Sequence, residues 1–180
     1  MLKLTPIKTK DKSYSFVEKL LHASFPEEER RDDDAQRNNT DNNPLFTTNL
    51  ITDDIEGKEV NIGIVTTWSF DDFHYVEHLA TSPDVRNKGY GSKIMAEIKK
   101  NLPGMIVLEV EEPKDELTKR RVGFYSRNGF NLCSKHYIQP AYRPNGKSIP
   151  LKIMYYGIDN LDEEFARVTT TIHREVYSTY

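Results

Sequence analysis

The stretch Val85-Arg86-Asn87-Lys88-Gly89-Tyr90-Gly91-Ser92 lies between an extended segment, residues 74–81, and a helical one, residues 89–100. Two glycines two apart at the start of a helix let backbone N–H groups face outward. Together with the helix dipole, those groups make an anion site. The run is no Walker loop, because G-x-x-x-x-G-K-S/T is absent. It is no dinucleotide fingerprint either, because no third glycine follows at the required spacing. The helix after it carries Tyr90, Ile94, Met95 and Ile98 on one side and ends at Asn101-Leu102-Pro103-Gly104.

Outward from that stretch, the apolar period alternates between helix and strand. Residues 13–25 carry a helical stripe (Phe16, Val17, Leu20, Leu21, Phe25) with Ser13 as N-cap, stopped by Pro26. The acidic run 27–34 reads as a solvated charged segment holding at most a short helix, and the Asn-rich run through Asn43 reads as loop. Residues 45–52 and 60–70 read as two strands joined at Glu56-Gly57-Lys58, and 74–81 as a third. A buried strand is predicted over 105–110 and a helix over 115–128, closed by Asn128-Gly129. Strands over 130–138 and 149–156 follow. Leu161, Phe165, Val168, Ile172 and Val176 then predict a C-terminal amphipathic helix that packs on the domain or on a second subunit. The order is mixed α/β with a strand–helix–strand crossover in the middle.

Composition narrows the function classes. The 180 residues suffice for one domain with a short appendage, and 11% aromatics can build a core. Net charge is −3 with no Lys/Arg block, which disfavours nucleic acid as the main partner. Cys133 is the single cysteine, so no intramolecular disulfide forms. No apolar run approaches 18 residues and none stands near the start, so a cytoplasmic protein without membrane contact is expected.

Two motifs together resemble a known family. Arg86-Asn87-Lys88-Gly89-Tyr90-Gly91 fits the Gln/Arg-x-x-Gly-x-Gly/Ala signature of the GNAT superfamily of acyl-CoA-dependent N-acyltransferases. Its second signature, on the later helix, is matched by Phe124-Tyr125-Ser126-Arg127-Asn128-Gly129-Phe130. The match covers roughly residues 60–157, and the element order agrees along the whole chain. The resemblance implies a GNAT domain over 1–157, with 158–180 as an added C-terminal helix. The central sheet would be mixed, mostly antiparallel and flanked by helices, splayed between a fourth strand near 74–81 and a fifth near 105–111. It implies acetyl-CoA as cosubstrate and no metal. The pantetheine arm would lie in the splay against Leu79, Ala80 and Thr81 like an added strand, and the pyrophosphate on Arg86, Asn87, Lys88, Gly89, Tyr90, Gly91 and Ser92. The glycines would be there because side chains would hold the phosphates away.

The implied reaction is direct attack of a primary amine on the thioester in a ternary complex. Tyr125 is the implied acid for the leaving thiolate. Two glutamates compete as base. Glu109 lies in a Leu-Glu-Val segment like that of the ribosomal-protein N-terminal acetyltransferases, where the Glu is the base, and it is preferred. Glu77 lies on the fourth strand, expected to face opposite to His78. Thr118 stands where many members keep Asn, and Arg121 is an unusual residue in reach of a CoA phosphate; both are cofactor-side candidates. Gln139 and Tyr142 should border the acceptor, a small-molecule, peptide or protein amine. Glu27 in the acidic run would attract its charge. A homodimer is compatible with the tail helix.

Two other readings bear on the same residues. His74-Tyr75-Val76-Glu77-His78 matches the H-x-x-E-H signature of zinc peptidases. On a strand those histidines stand about 13 Å apart, too far to share one ion. The alternative within the family is a sensor that binds acyl-CoA without catalysis; the presence of both Glu109 and Tyr125 argues against it.

Overall fold

The structure, a computed structural model, describes residues 1–178. Helix α1 (Tyr14–Ser24) buries Tyr14, Val17, Leu20 and Leu21 on one face. A short 3₁₀ turn, Glu27–Glu29, leads to α2 (Asp33–Asn42). Most of the Asn-rich run expected to be loop is therefore helix. Asp32 accepts the Ala35 N–H at 2.8 Å as N-cap, Asp33 and Asp34 complement the dipole, and Gln36 and Thr40 are buried. Four strands flank these helices in sequence and pair side by side in one sheet. They are β1 (Lys3–Pro6), unforeseen because it is short and mostly exposed, β2 (Phe46–Ile55), β3 (Lys58–Ser69) and β4 (Phe73–Thr81). The β2–β3 turn places Glu56 and Gly57 at φ 55° and 78°, the pair of positive angles that a two-residue hairpin of matching twist requires.

The second half comprises α3 (Tyr90–Asn101), β5 (Met105–Val110), α4 (Glu116–Arg127), β6 (Asn131–Leu132), β7 (Tyr137–Gln139), β8 (Ile149–Tyr156) and α5 (Phe165–Glu175). The strand expected over 130–138 is broken into β6 and β7, both antiparallel to β8. The excursion between them is tied down by Lys152, whose Nζ donates to the carbonyls of Ser134 and Lys135 at 2.8 and 3.3 Å. Strand order is β1-β2-β3-β4-β5-β8-β6 with β7 also on β8, and among the described residues only the β4–β5 pair is parallel.

Each sheet face has its own core. Ile106 and Leu108 of β5 pack with Ile94, Met95 and Ile98 of α3. Met105 and Val107 alternate onto the other face, against Val168, Ile172 and Val176 at α5. The tail helix thus packs on its own chain. Each of these fully buried side chains contributes roughly 1.5–3 kcal/mol of burial. Among the described residues no helix is long and apolar enough to cross a membrane.

One irregularity positions the site. Opposite β3, Thr66 pairs with His78 and Thr67 with Val76, so Glu77 is the extra residue of a β-bulge. Val76 packs on the α3 face, and Ala80 packs with α1 on the other. The bulge resets the alternation between them.

Candidate active site

The β4–β5 ladder runs from Phe73 to Val76 and from Met105 to Leu108, then stops. A bulge bends its strand, and past it the two strands part. A cleft of about 340 Å³ opens there, lined by Glu77, Leu79, Ala80 and Thr81 on β4 and by Glu109 and Glu111 across from them. Phe25 and Glu29 roof it from the α1–α2 connection. Tyr125 and Arg121 reach it from α4, and Gln139 and Tyr142 from the β7 side.

Glu77 is held, not free. Its side chain is 0% exposed, and Arg31, 6% exposed, contacts both carboxylate oxygens. Trp68 Nε1 donates to Oε2 at 3.0 Å and the Tyr142 hydroxyl to Oε1 at 2.8 Å. Arg31 also donates to Gln36 Oε1 at 2.7 Å and lies over the rings of Phe46, Trp68 and Tyr142. Burial pushes the Glu77 carboxyl up, but Arg31, His78 and these hydrogen bonds outweigh it and hold it below the usual range. The expectation that Glu77 faces opposite to His78 is corrected: Glu77 Oε2 lies 3.7 Å from His78 Nδ1, because the bulge puts both on one face.

His78 is itself buried. Its Nε2 lies 2.8 Å from the Glu29 carbonyl, which can only accept, so Nε2 carries the proton. Its Nδ1 faces the Thr66 hydroxyl at 3.3 Å, and burial holds the ring below its usual pKa. His74 instead contacts Ser69 Oγ at 2.9 Å. Among the described residues no group of three or more His, Cys, Asp or Glu is arranged to hold a metal.

Among the described residues Glu109 has no ion-pair partner. Strand alternation turns it to the α5 face, where it lines the cleft. Tyr137 donates to Oε1 and Tyr177 to Oε2, the latter at 2.7 Å. Burial pushes the carboxyl up to about 7, with the phenols of Tyr137, Tyr177 and Tyr75 pulling the other way. Tyr125 lines the same cleft, and among the described residues its hydroxyl has no hydrogen-bond partner. Burial raises that phenol and Arg121 offsets part of the rise.

Comparison with known proteins follows this geometry. A family description, acetyltransferase (GNAT) domain, matches residues 48–132. A solved structure from Bacteroides thetaiotaomicron, assigned to the GNAT family of acetyltransferases, is 40% identical over 99% of each chain, with a TM-score of 0.94. The chain belongs to the GNAT acetyltransferase family. YjbC of Bacillus subtilis (strain 168), assigned as an acetyltransferase, is 32% identical over 100 residues, 53% of this chain and 50% of YjbC. The match thus spans about half the length of that relative. A spermidine N-acetyltransferase from Vibrio cholerae, solved with CoA and spermine, shares the GNAT fold at 17% identity, with a TM-score of 0.62 over 86% of this chain and 94% of that one.

Within this GNAT cleft the remaining sequence candidates divide. Arg86 and Arg121 line it, and Arg121 donates to Glu111 at 2.8 Å. Asn87, Lys88 and Gly89 form an exposed turn outside the cleft lining, Ser92 is exposed in the first turn of α3, and Tyr90 points to Asp53, 3.2 Å away. The structure adds a packing and a backbone reason for the two glycines. A Cβ on Gly91 would stand 2.8 Å from the Phe124 ring, so Gly91 is set by helix packing; a Cβ on Gly89 meets nothing, and φ +74° is what favours glycine there. Thr118 does not line the cleft. It is buried in a capping box with Asp115, its N–H donating to Asp115 Oδ1 at 2.8 Å. Glu27 also lies outside the cleft lining and faces Arg143 at 3.6 Å. Gln139 is buried in the lining, and among the described residues its amide nitrogen has no hydrogen-bond partner.

Arg31, Trp68, Tyr137 and Tyr177 escaped the sequence reading. Arg30-Arg31 interrupts an otherwise acidic run, a signal available in the sequence. Tyr177 follows Val176 at the end of the tail stripe and reads there as one more core aromatic.

Proposed function

We propose that the protein transfers the acetyl group of acetyl-CoA to the nitrogen of a primary amine, with Glu109 as base and Tyr125 as acid. The observation that carries this reading is Glu109, a carboxyl poised at about 7 and facing the cleft where β4 and β5 part. A base near the operating pH is the kind general catalysis favours.

The chain's own groups suit the cosubstrate. Asn87 and Gly89 take positive φ, 63° and 74°, on either side of Lys88, and the start of α3 has no side-chain cap. Those free N–H groups, with Arg86 and Lys88, would hold the pyrophosphate. The unpaired edge at Leu79, Ala80 and Thr81 would hold the pantetheine amides, and Arg121 stands across the cleft. When bound, acetyl-CoA supplies the activated acyl group.

An alkylamine with pKa about 10.4 must lose a proton first, which costs about 4.6 kcal/mol at pH 7. Glu109 takes that proton, the neutral amine forms the C–N bond, the C–S bond breaks and Tyr125 gives its proton to the departing sulfur; the second proton, shed by the acylated nitrogen, returns through solvent to the Tyr125 oxygen, so atoms and charge balance. Burial raises Tyr125, but a thiolate desolvated in the same cleft rises with it. Glu77, ion-paired and kept ionised, is a structural anchor in this scheme. Gln139 offers its unused amide N–H to an oxygen on the acceptor. Tyr142 presents its ring there, because its hydroxyl is engaged by Glu77.

The test is a screen of polyamines, amino sugars, small amines and peptides with free amines, read by thiol release from acetyl-CoA. Amine-dependent release that falls in Glu109→Gln is expected. Tight acetyl-CoA binding without release for any amine would overturn the proposal in favour of a sensor.

A further inference from the structure

We propose that Tyr177, just beyond α5, is a positioning residue of the active site: its hydroxyl holds the Glu109 carboxylate ionised and aimed at the cleft. This rests on the assignment of Glu109 as base. The Tyr177 hydroxyl reaches Glu109 Oε2 at 2.7 Å across 68 residues of sequence, while Tyr137 serves Oε1. Each carboxylate oxygen therefore has one phenol, which fixes the plane of the group. Both donors favour the ionised form over the neutral acid. Without them burial alone would keep Glu109 protonated and unable to accept the amine proton.

The rest of the fold holds Tyr177 in place. Leu161, Val168, Ile172 and Val176 bury α5 and its flanks against Val107 and Ile153. The Tyr177 hydroxyl lies 3.2 Å from that of Tyr75, and its ring lies 4.7 Å from Tyr142. Tyr142 in turn donates to Glu77. Other ionisable groups face Glu109 through these contacts. From β4 come Tyr75 and Glu77, the latter paired by Arg31. From the β7 side come Tyr137 and Tyr142, and from α5 His173, whose ring lies 5.4 Å from that of Tyr137. Tyr177 is thus the part of the site that the tail contributes directly.

The experiment is a carboxyl titration by carbon NMR on protein labelled at the glutamate side-chain carbon, with Glu109 assigned by subtraction of the Glu109→Gln spectrum. In Tyr177→Phe the Glu109 midpoint should rise by about one pH unit, equivalent to about tenfold less carboxylate below it. With an acceptor from the amine screen, the acidic limb of kcat/KM should move up equally and activity should recover at high pH, which a packing defect would not produce. Should Tyr177→Phe fail to fold, 3-fluorotyrosine at 177 keeps the shape and donates more strongly, so the midpoint should fall. A midpoint unmoved in either variant overturns the proposal. A limb that persists in Glu109→Gln overturns the base assignment and with it the positioning role, while the titration still reports the hydrogen bond separately.

Discussion

Arg31 and Glu77, 46 residues apart in sequence, form a two-point ion pair whose side chains are 6% and 0% exposed. It joins the connection before α2 to the bulge of β4. The guanidinium lies between Phe46, Trp68 and Tyr142, so either ion left alone would be stranded among apolar rings.

Removing one partner should therefore destabilise the fold by about 3–5 kcal/mol, seen as a lower urea midpoint for Arg31→Met or Glu77→Gln. The double variant should recover part of the loss. Because the folded Glu77 carboxyl lies below its usual range, its contribution is complete above the unfolded pKa and lost as pH falls through the folded one. The Glu77→Gln penalty should accordingly be full at pH 7 and shrink in acid. A penalty constant with pH would count against this pairing.

Glu109 has the opposite sign. Its folded carboxyl is raised from 4.5 to about 7, so its favourable term is complete below 4.5 and lost as pH rises through 7. Glu109→Gln should gain stability relative to wild type above pH 7, by about 3 kcal/mol from about 2.5 pH units. Below pH 4.5 the gain should vanish. Urea melts at pH 5 and 8.5 would read the difference.

Tyr125→Phe keeps the ring and its contacts with Phe124 and Phe130 while removing one hydroxyl. If that hydroxyl protonates the leaving sulfur, kcat should drop by roughly 10²–10⁴. Acetyl-CoA affinity by calorimetry should barely change, because the lost interaction acts as charge builds on sulfur. Wild-type kcat under conditions where chemistry limits turnover would refute the role.

The two glycines of the loop should fail for different reasons. Gly91→Ala drives a methyl into Phe124 and should cost about 1–3 kcal/mol, relieved when Phe124→Leu is added. Gly89→Ala meets no atom but must hold φ +74°, costing about 1–2 kcal/mol, and Phe124→Leu should not rescue it. Thermal melts of wild type, the three single variants and the two double variants complete both cycles.

The strands and helices that carry local chemistry were legible because their signals are local. The glycine turn before α3, the Phe-Tyr signature on α4 and the continuous apolar run of β5 each lie within a dozen residues. Helix α2 was missed because its apolar content is almost nil; it is held by the Asp32 cap and by Thr40 bonding to Thr48 at 2.8 Å, a contact with β2. The break between β6 and β7 leaves no mark in composition.

By itself the sequence determined the order of most elements, because periodicity is a property of neighbours along the chain, and its two motifs carried a resemblance to the family that implied Glu109 and Tyr125 as candidates. Only the tertiary structure separated the two glutamates. Glu77 and Glu109 have the same side chain, and what distinguishes them is what burial and folding bring to each. A guanidinium from the acidic run holds one carboxylate ionised. Two phenols from distant segments face the other inside a cleft that pushes it up to about 7. Such differences arise from desolvation and through-space charge, which depend on three-dimensional distance and so cannot be read from residue order.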